Sequence, residues 1–235
     1  MPATNTLNWI RAGLLALPVY GVLTIWATLD PQPNFNTNPE AWSRFVTTDR
    51  YVITHIFGST LGLILAIFGT FALGAYLATS RAGRLGLVAM VITVLGSTLN
   101  LTIGGYSTFA SPEQGQMNLQ GIKGYLDMPP ILAQSAFTLT FGLGILLVLV
   151  GNVLLGVAVW RSGVLPKWAG AIWAASALLF YVLGAVLGML TTGGSLLTQP
   201  LGGVLIAISG GWIAWSAMRR SSAGTVGIQA QPRVQ

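Results

Sequence analysis

An all-α bundle of six membrane-spanning helices is the fold class that the sequence predicts, on three observations. Hydrophobic residues make up 53% of the 235 residues and charged residues only 7%, whereas a soluble domain has about 25% charged residues. Six apolar stretches are each long enough to cross a bilayer, which takes about 20 helical residues. Basic residues alternate between the connecting loops in the pattern that sets membrane orientation.

The first apolar stretch is interpreted as a retained helix, because it is longer than the apolar part of a secretory signal and has no small-residue cleavage site. Residues 1–220 are predicted to form one transmembrane domain, and the polar segment 221–235 a disordered cytoplasmic tail. In chain order the predicted spans are Leu7–Leu29, Tyr51–Ser80, Leu85–Tyr106, Pro130–Trp160, Trp168–Leu190 and Leu201–Met218.

The loops fall into two classes by charge. Segments on one side carry Lys and Arg without a single acid, whereas all five acids lie in two loops of the other side. An excess of basic residues marks the cytoplasmic side, so both termini are predicted to be cytoplasmic. The net charge of +6 is interpreted as a topology signal, and no nucleic-acid partner is predicted. The basic set is Arg11, Arg81, Arg84, Arg161, Lys167, Arg219, Arg220 and Arg233, and the acids are Asp30, Glu40, Asp49, Glu113 and Asp127.

Residue types restrict the chemistry. The chain has no cysteine and one histidine, which excludes disulfides, iron–sulfur clusters and the usual zinc ligand sets. The predicted midplane contains no Asp, Glu, Lys or Arg, which argues against a proton- or ion-coupled pump. A G-x-S-x-G nucleophile motif is absent, and Ser59, one helical turn from His55, is weak evidence for a catalytic pair. No catalytic or metal-binding residues are therefore predicted.

Glycines recur at matched spacing in the even-numbered spans. Gly62–Gly69–Gly74 in the second span has the same spacing as Gly144–Gly151–Gly156 in the fourth, and Gly203–Gly210 repeats the first pair in the sixth. Small residues let membrane helices approach closely, so this pattern predicts an internal repeat of packing helices. Coincidence in a chain with 30 glycines is the alternative. The predicted packing positions are Gly62, Gly69, Gly144, Gly151, Gly203 and Gly210.

Polar residues of several spans come to similar depths near the predicted outer surface. Ionisable groups in membrane helices usually face the bundle interior, so an outward-facing pocket around His55 is predicted. The alternative places His55 at the level of the lipid headgroups, bonded only to a loop carbonyl. The candidate ligand-binding residues are His55, Asn100, Tyr106, Gln134 and Asp127.

The segment 160–170 has the pattern W-R-S-G-x-L-P-K-W-x-G. It is typical of a helix–turn–helix in which Gly163 ends one helix and Pro166 begins the next. The pattern resembles a signature of uncharacterised six-span bacterial membrane proteins, frequent in actinobacteria. The resemblance implies a helical bundle in a bacterial cytoplasmic membrane and transfers no activity.

Three function classes follow. The leading hypothesis is a non-catalytic membrane protein, either an accessory subunit of a larger complex or a binder of a lipid or small apolar ligand at its outer face. The second is a redox protein in which His55, with Tyr106 or Gln134, holds a quinone, or with Met128 or Met189 holds a haem. The third is a passive transporter or oligomeric channel. The cofactor stays open, and the expected partners are the lipid bilayer and, as a hypothesis, other membrane subunits or a second copy.

Overall fold

The computed structural model describes residues 3–122, 132–191 and 196–226, which are helical with no strand among them. Six helices are long and apolar enough to cross a membrane, so this part of the prediction is confirmed. They are called the first to sixth spans here and comprise Asn5–Thr28, Asp49–Leu77, Gly83–Leu119, Ser135–Ser162, Lys167–Val186 and Thr198–Arg220. A short outer helix, Pro39–Val46, lies between the first two spans.

The spans form a closed ring. Each packs against its neighbours in the chain, and the sixth returns to pack against the first. An apolar core fills the ring at the end of the basic turns, with every span contributing a side chain that is no more than 2% exposed: Leu17, Leu73, Ala89, Leu155, Trp173 and Ile213. Large apolar side chains such as Phe68 and Leu139 point outward, 60% and 74% exposed. Lipid covers such a face, so the protein contacts the bilayer through it.

The first span is interrupted near its start. Helices Ala3–Gly13 and Ala16–Thr28 are separated by a turn at Leu14 and Leu15. Pro18 accounts for the break, because it has no amide to donate to the carbonyl four residues earlier and its ring collides with that carbonyl. The break directs Leu14 and Leu17 into the apolar core, where neither is exposed.

The third span extends beyond its predicted end at Tyr106 and reaches Leu119, a helix of 37 residues. At 1.5 Å per residue it is about 55 Å long, well beyond the hydrocarbon thickness of about 30 Å. Its outer end packs on the short outer helix, where Asn118 donates a 2.8 Å hydrogen bond to the Ser43 hydroxyl. Buried Trp42 and Val46 complete this contact. This packing accompanies a helix, with Pro112 inside it, where the sequence predicted that the span had already ended.

Two spans contain π-helical segments, in which each backbone amide donates to the carbonyl five residues earlier instead of four. These segments are Thr54–Thr60 in the second span and Leu178–Val186 in the fifth.

The turn between the fourth and fifth spans follows the predicted helix–turn–helix. One helix ends at Ser162, Gly163 takes φ +69°, and the next begins after Pro166. The sixth helix continues to Val226, so residues 221–226 of the predicted tail belong to it.

All six predicted packing glycines are buried. Gly69 lies against Leu17 of the preceding span, and Gly151 lies against Thr93 of its preceding span. The third glycine of each set faces the following span instead, Gly74 against Met90 and Gly156 against Gly170. The matched positions thus make matched contacts in the second and fourth spans. The other four glycines also lie against neighbouring spans: Gly62 against Leu23, Gly144 against Asn100, Gly203 against Ile25 and Gly210 against Leu17.

Gly151→Leu should destabilise the bundle, since a Cβ there would lie 2.6 Å from the Thr93 amide nitrogen and 2.8 Å from its Cα. We expect a loss of about 1–3 kcal/mol from overpacking, measured by thermal or SDS unfolding in detergent. Gly69→Leu should behave likewise. Gly142→Leu on the same span as Gly151 is the matched control, because a Cβ there would meet nothing within 4 Å. Equal stability of the Gly142 and Gly151 variants would contradict the packing role.

Candidate ligand-binding cavity

An outer cavity of about 410 Å³ opens at the end of the bundle opposite the apolar core. Every span contributes to its wall: Trp26, His55, Ser107, Phe141, Ala185 and Gln199 come from the first to the sixth span in order. A site built in this way depends on the closed ring, because loss of any one helix would open the wall.

A second chamber of about 250 Å³ adjoins the outer cavity. The two have Ser59, Phe141 and Ala185 among their shared wall residues, so they lie side by side at this end of the bundle. Apolar side chains dominate the deeper chamber, including Leu63, Ile145 and Phe180, while Tyr20, Asn100 and Tyr181 add polar atoms. We call the combined space the outer funnel.

The mouth of the outer funnel is polar. Arg50 and Asp30 form an ion pair of 2.7 Å between Nη2 and Oδ2 there, with side chains 70% and 41% exposed. They are the only charged residues among those that line the described cavity. Because the two charges neutralise each other, the mouth has no net charge from these groups.

His55 is held in one orientation by the second span itself. Its Nδ1 lies 2.9 Å from the Tyr51 carbonyl oxygen, and the imidazole stacks on the Tyr51 ring with centroids 3.8 Å apart. A carbonyl oxygen can only accept, so Nδ1 carries the proton in this contact. In the neutral ring Nε2 then has a lone pair and acts as an acceptor. No described residue hydrogen-bonds Nε2, which leaves it for a ligand.

Tyr51 fixes the second span against the third. Its side chain is 2% exposed, and its hydroxyl donates to the Ser107 carbonyl oxygen at 3.0 Å and lies 2.9 Å from the Ser107 hydroxyl. The ring also packs edge-on against Phe45 of the outer helix. Tyr51 therefore connects the outer helix, the third span and His55.

The floor of the funnel closes above the apolar core. Tyr20 and Tyr181 line both the deeper chamber and a small polar pocket of about 10 Å³ beneath it. That volume is at the lower limit for a single water molecule. Asn152 lies in the same pocket and accepts a 2.9 Å hydrogen bond from the Trp173 indole. Below this level, the described side chains of the ring form the apolar core.

Both π-helical segments border the funnel. His55, Gly58 and Ser59 come from the first segment, and Phe180 and Ala185 come from the second. Such segments occur often at functional sites, because the inserted residue widens the helix and redirects side chains. Their joint presence on one cavity marks it as the candidate site.

The predicted site residues are only partly brought together. His55 lines the outer cavity and Asn100 the deeper chamber. Tyr106 lies elsewhere, 41% exposed, where it accepts a 2.5 Å hydrogen bond from Gln114 and packs against Phe137. The side chain of Gln134 and the whole of Asp127 lie outside the described residues, as do Met128 and the side chain of Met189.

Other residues of the funnel were not predicted. Tyr51 and the Asp30–Arg50 pair could have been found, because opposite charges bracket the first outer loop and Tyr51 starts the span that carries His55. Phe141 and Ala185 carry no such signal, since apolar residues in a membrane helix face lipid or interior alike. Within the described ranges, no group of three or more His, Cys, Asp or Glu could hold a metal ion.

Comparison of the chain with protein-family models, curated proteins and solved structures found no match.

Tyr51→Phe should weaken the outer end of the bundle, because it removes both contacts to Ser107. We expect a loss of about 1 kcal/mol or more of unfolding free energy, given about 0.5–1.5 kcal/mol for each hydrogen bond, measured by SDS titration in mixed micelles. Ser107→Ala should cost less, since the carbonyl acceptor remains. Tyr106→Phe is the control, because its bond to Gln114 is solvent-exposed. Equal effects of Tyr51→Phe and Tyr106→Phe would refute the anchoring role.

Proposed function

We propose that the protein binds a neutral amphipathic molecule, such as a lipid with a hydroxyl-bearing head, in the outer funnel. The observation that carries this is the change of polarity between two adjoining chambers, from His55 and the ion pair at the mouth to Phe180 and Ile145 in the deeper chamber. The outer cavity alone lies within the range of about 300–1,000 Å³ of small-molecule sites.

The residues at the mouth of the funnel determine which head group the ligand would have. Nε2 of neutral His55 is an acceptor, so it selects a ligand that donates a hydrogen bond, such as an alcohol. The Asp30–Arg50 pair supports a neutral head, because a charged head would compete with an existing ion pair for one of its partners. The apolar tail of the ligand would occupy the deeper chamber, where burial of each CH₂ group contributes about 0.8 kcal/mol.

The funnel is proposed to open to the outside of a bacterial cytoplasmic membrane. Arg81, Arg84 and Arg161 lie together at the opposite end of the bundle from Asp30 and Arg50. Basic residues favour the cytoplasmic side, which supports a cytoplasmic location of both termini. The resemblance of segment 160–170 to bacterial membrane proteins supports the bacterial location.

Orientation can be tested by labelling, because the chain has no cysteine of its own. Thr37 and Thr79 are exposed residues of the first outer loop and of the turn after the second span. A membrane-impermeant maleimide applied to intact cells should modify Thr37→Cys and spare Thr79→Cys until the cells are lysed. The reverse pattern would place the funnel on the cytoplasmic side and overturn this part of the proposal.

Ligand binding is tested with 1-monooleoylglycerol as the probe, oleate as its charged analogue and octadecane as its headless analogue. Native mass spectrometry of the detergent-purified protein should show binding of the monoglyceride in preference to both analogues. Ala185→Trp should abolish that binding, because Ala185 lies in the wall that both parts of the funnel share. Ala175→Trp on the same span is the matched control, since Ala175 is exposed on the lipid-facing side of the bundle.

His55→Ala should weaken monoglyceride binding without lowering the thermal unfolding midpoint beyond that of Ala175→Trp. Unchanged affinity in both His55→Ala and Ala185→Trp would mean that the funnel is not the binding site.

A quinol fits the same description, since it joins a hydrogen-bond donating head to an apolar tail. The redox hypothesis is therefore a special case of the proposed site. The absorbance spectrum of the purified protein distinguishes it, because a bound quinone adds a near-ultraviolet band that sodium borohydride changes. A spectrum restricted to the aromatic band, together with monoglyceride binding, would favour the lipid.

A further inference from the structure

A second recess lies at the other end of the bundle, where two basic turns meet. Its volume is about 450 Å³, and it is lined by Arg81, Arg84 and Arg161 together with Ser80 and Gly83. Arg81 belongs to the turn between the second and third spans, Arg84 to the first turn of the third span, and Arg161 to the end of the fourth. We call this space the basic recess. The ring of spans brings together arginines that are about 80 positions apart in the chain.

The arginines of the basic recess have no acidic partner among the described residues. Both described ion pairs lie at the opposite end, between Glu40 and Arg44 and between Asp30 and Arg50. Two other cations near the basic end interact with aromatic rings instead: Lys167 lies 5.8 Å from each of the rings of Trp160 and Trp168, and Arg219 lies 3.8 Å above Trp215. The recess therefore concentrates positive charge that nothing described neutralises.

Backbone donors add to that charge. The third span begins at Gly83, and its first turn lines the recess through Gly83, Arg84 and Leu85. The Ala82 amide donates to the Ser80 hydroxyl at 3.2 Å, and the Gly83 amide to the Ser80 carbonyl at 3.0 Å. The next two amides, of Arg84 and Leu85, have no acceptor among the described residues. Free amides at a helix N-terminus bind anions, since the helix dipole adds to their attraction.

Gly163 holds the two turns together. Its φ of +69° suits glycine, and a Cβ at this position would lie 3.0 Å from the Arg81 Cζ. The guanidinium of Arg81 therefore packs directly on the turn of the fourth and fifth spans. This contact positions Arg81 at one side of the recess without a ligand.

We propose that the basic recess binds the phosphate group of an anionic phospholipid. Several arginines and free helix amides are the donors that a phosphate accepts, and basic pockets between membrane helices bind anionic head groups. The position favours a lipid over a free anion, because Trp160 and Trp168 flank the same turn and tryptophans mark the membrane interface. The lipid chains would lie along the lipid-facing sides of the second to fourth spans.

The test compares lipids bound to the full-length protein by native mass spectrometry. Dioleoylphosphatidylglycerol should bind more tightly than dioleoylphosphatidylcholine to the native chain. The double variant Arg84→Gln, Arg161→Gln should bind phosphatidylglycerol about 25-fold more weakly, from about fivefold for each arginine near a membrane surface. The control is Arg219→Gln, Arg220→Gln at the end of the sixth span, which removes the same charge outside the recess and should weaken binding much less.

Equal losses in the two double variants would overturn the proposal, because the attraction would then depend on total charge alone. Stabilisation of the native chain by inorganic phosphate, without preferential binding of phosphatidylglycerol, would overturn the lipid assignment in favour of a soluble anion. If the recess variant fails to fold, Arg84→Gln alone gives the same comparison against Arg220→Gln, with an expected fivefold difference.

Discussion

Close approach of helix backbones is the interaction on which the rest of this structure depends. Lipid offers no hydrophobic drive for one helix to join another, so packing must supply it. Gly69 and Gly151 lie directly against Leu17 and Thr93, where any larger side chain would separate the helices. The return of the sixth span to the first closes the ring. The outer funnel depends on this closure, because all six spans contribute to its wall.

The two ends of the ring are built differently, through side-chain packing at one end and π-helical backbone at the other. At the basic end, leucines and small residues pack closely inside the ring and form the apolar core, in which Leu73 and Leu155 are fully buried. At the other end the π-helical segments widen two of the spans, and a space opens between them. Among the described residues, the apolar core begins below the Asn152–Trp173 pair.

His55, the one histidine of the sequence, lines the outer cavity, but few of the other wall residues were among the predicted site residues. His55 and Asn100 could be predicted because polar groups at membrane depth face the interior. Tyr106 satisfied the same rule, yet the third span continues as a helix beyond it and turns its side chain toward Gln114 and Phe137. Hydropathy cannot foresee such an extension, since the polar segment after Tyr106 is helical through its packing on the outer helix rather than through burial in lipid.

The sequence by itself determined the number of spans, their order and the separation of charge between the two ends. These follow from local rules. A bilayer requires about 20 apolar helical residues, and an excess of basic residues distinguishes the loops of one side from those of the other. Only the tertiary structure decided which spans are neighbours, where the π-helical segments widen them, and that Arg81 and Arg161 share one recess. Such facts depend on how side chains of distant segments fit together, and in a chain this apolar the faces toward lipid and toward protein have nearly the same composition.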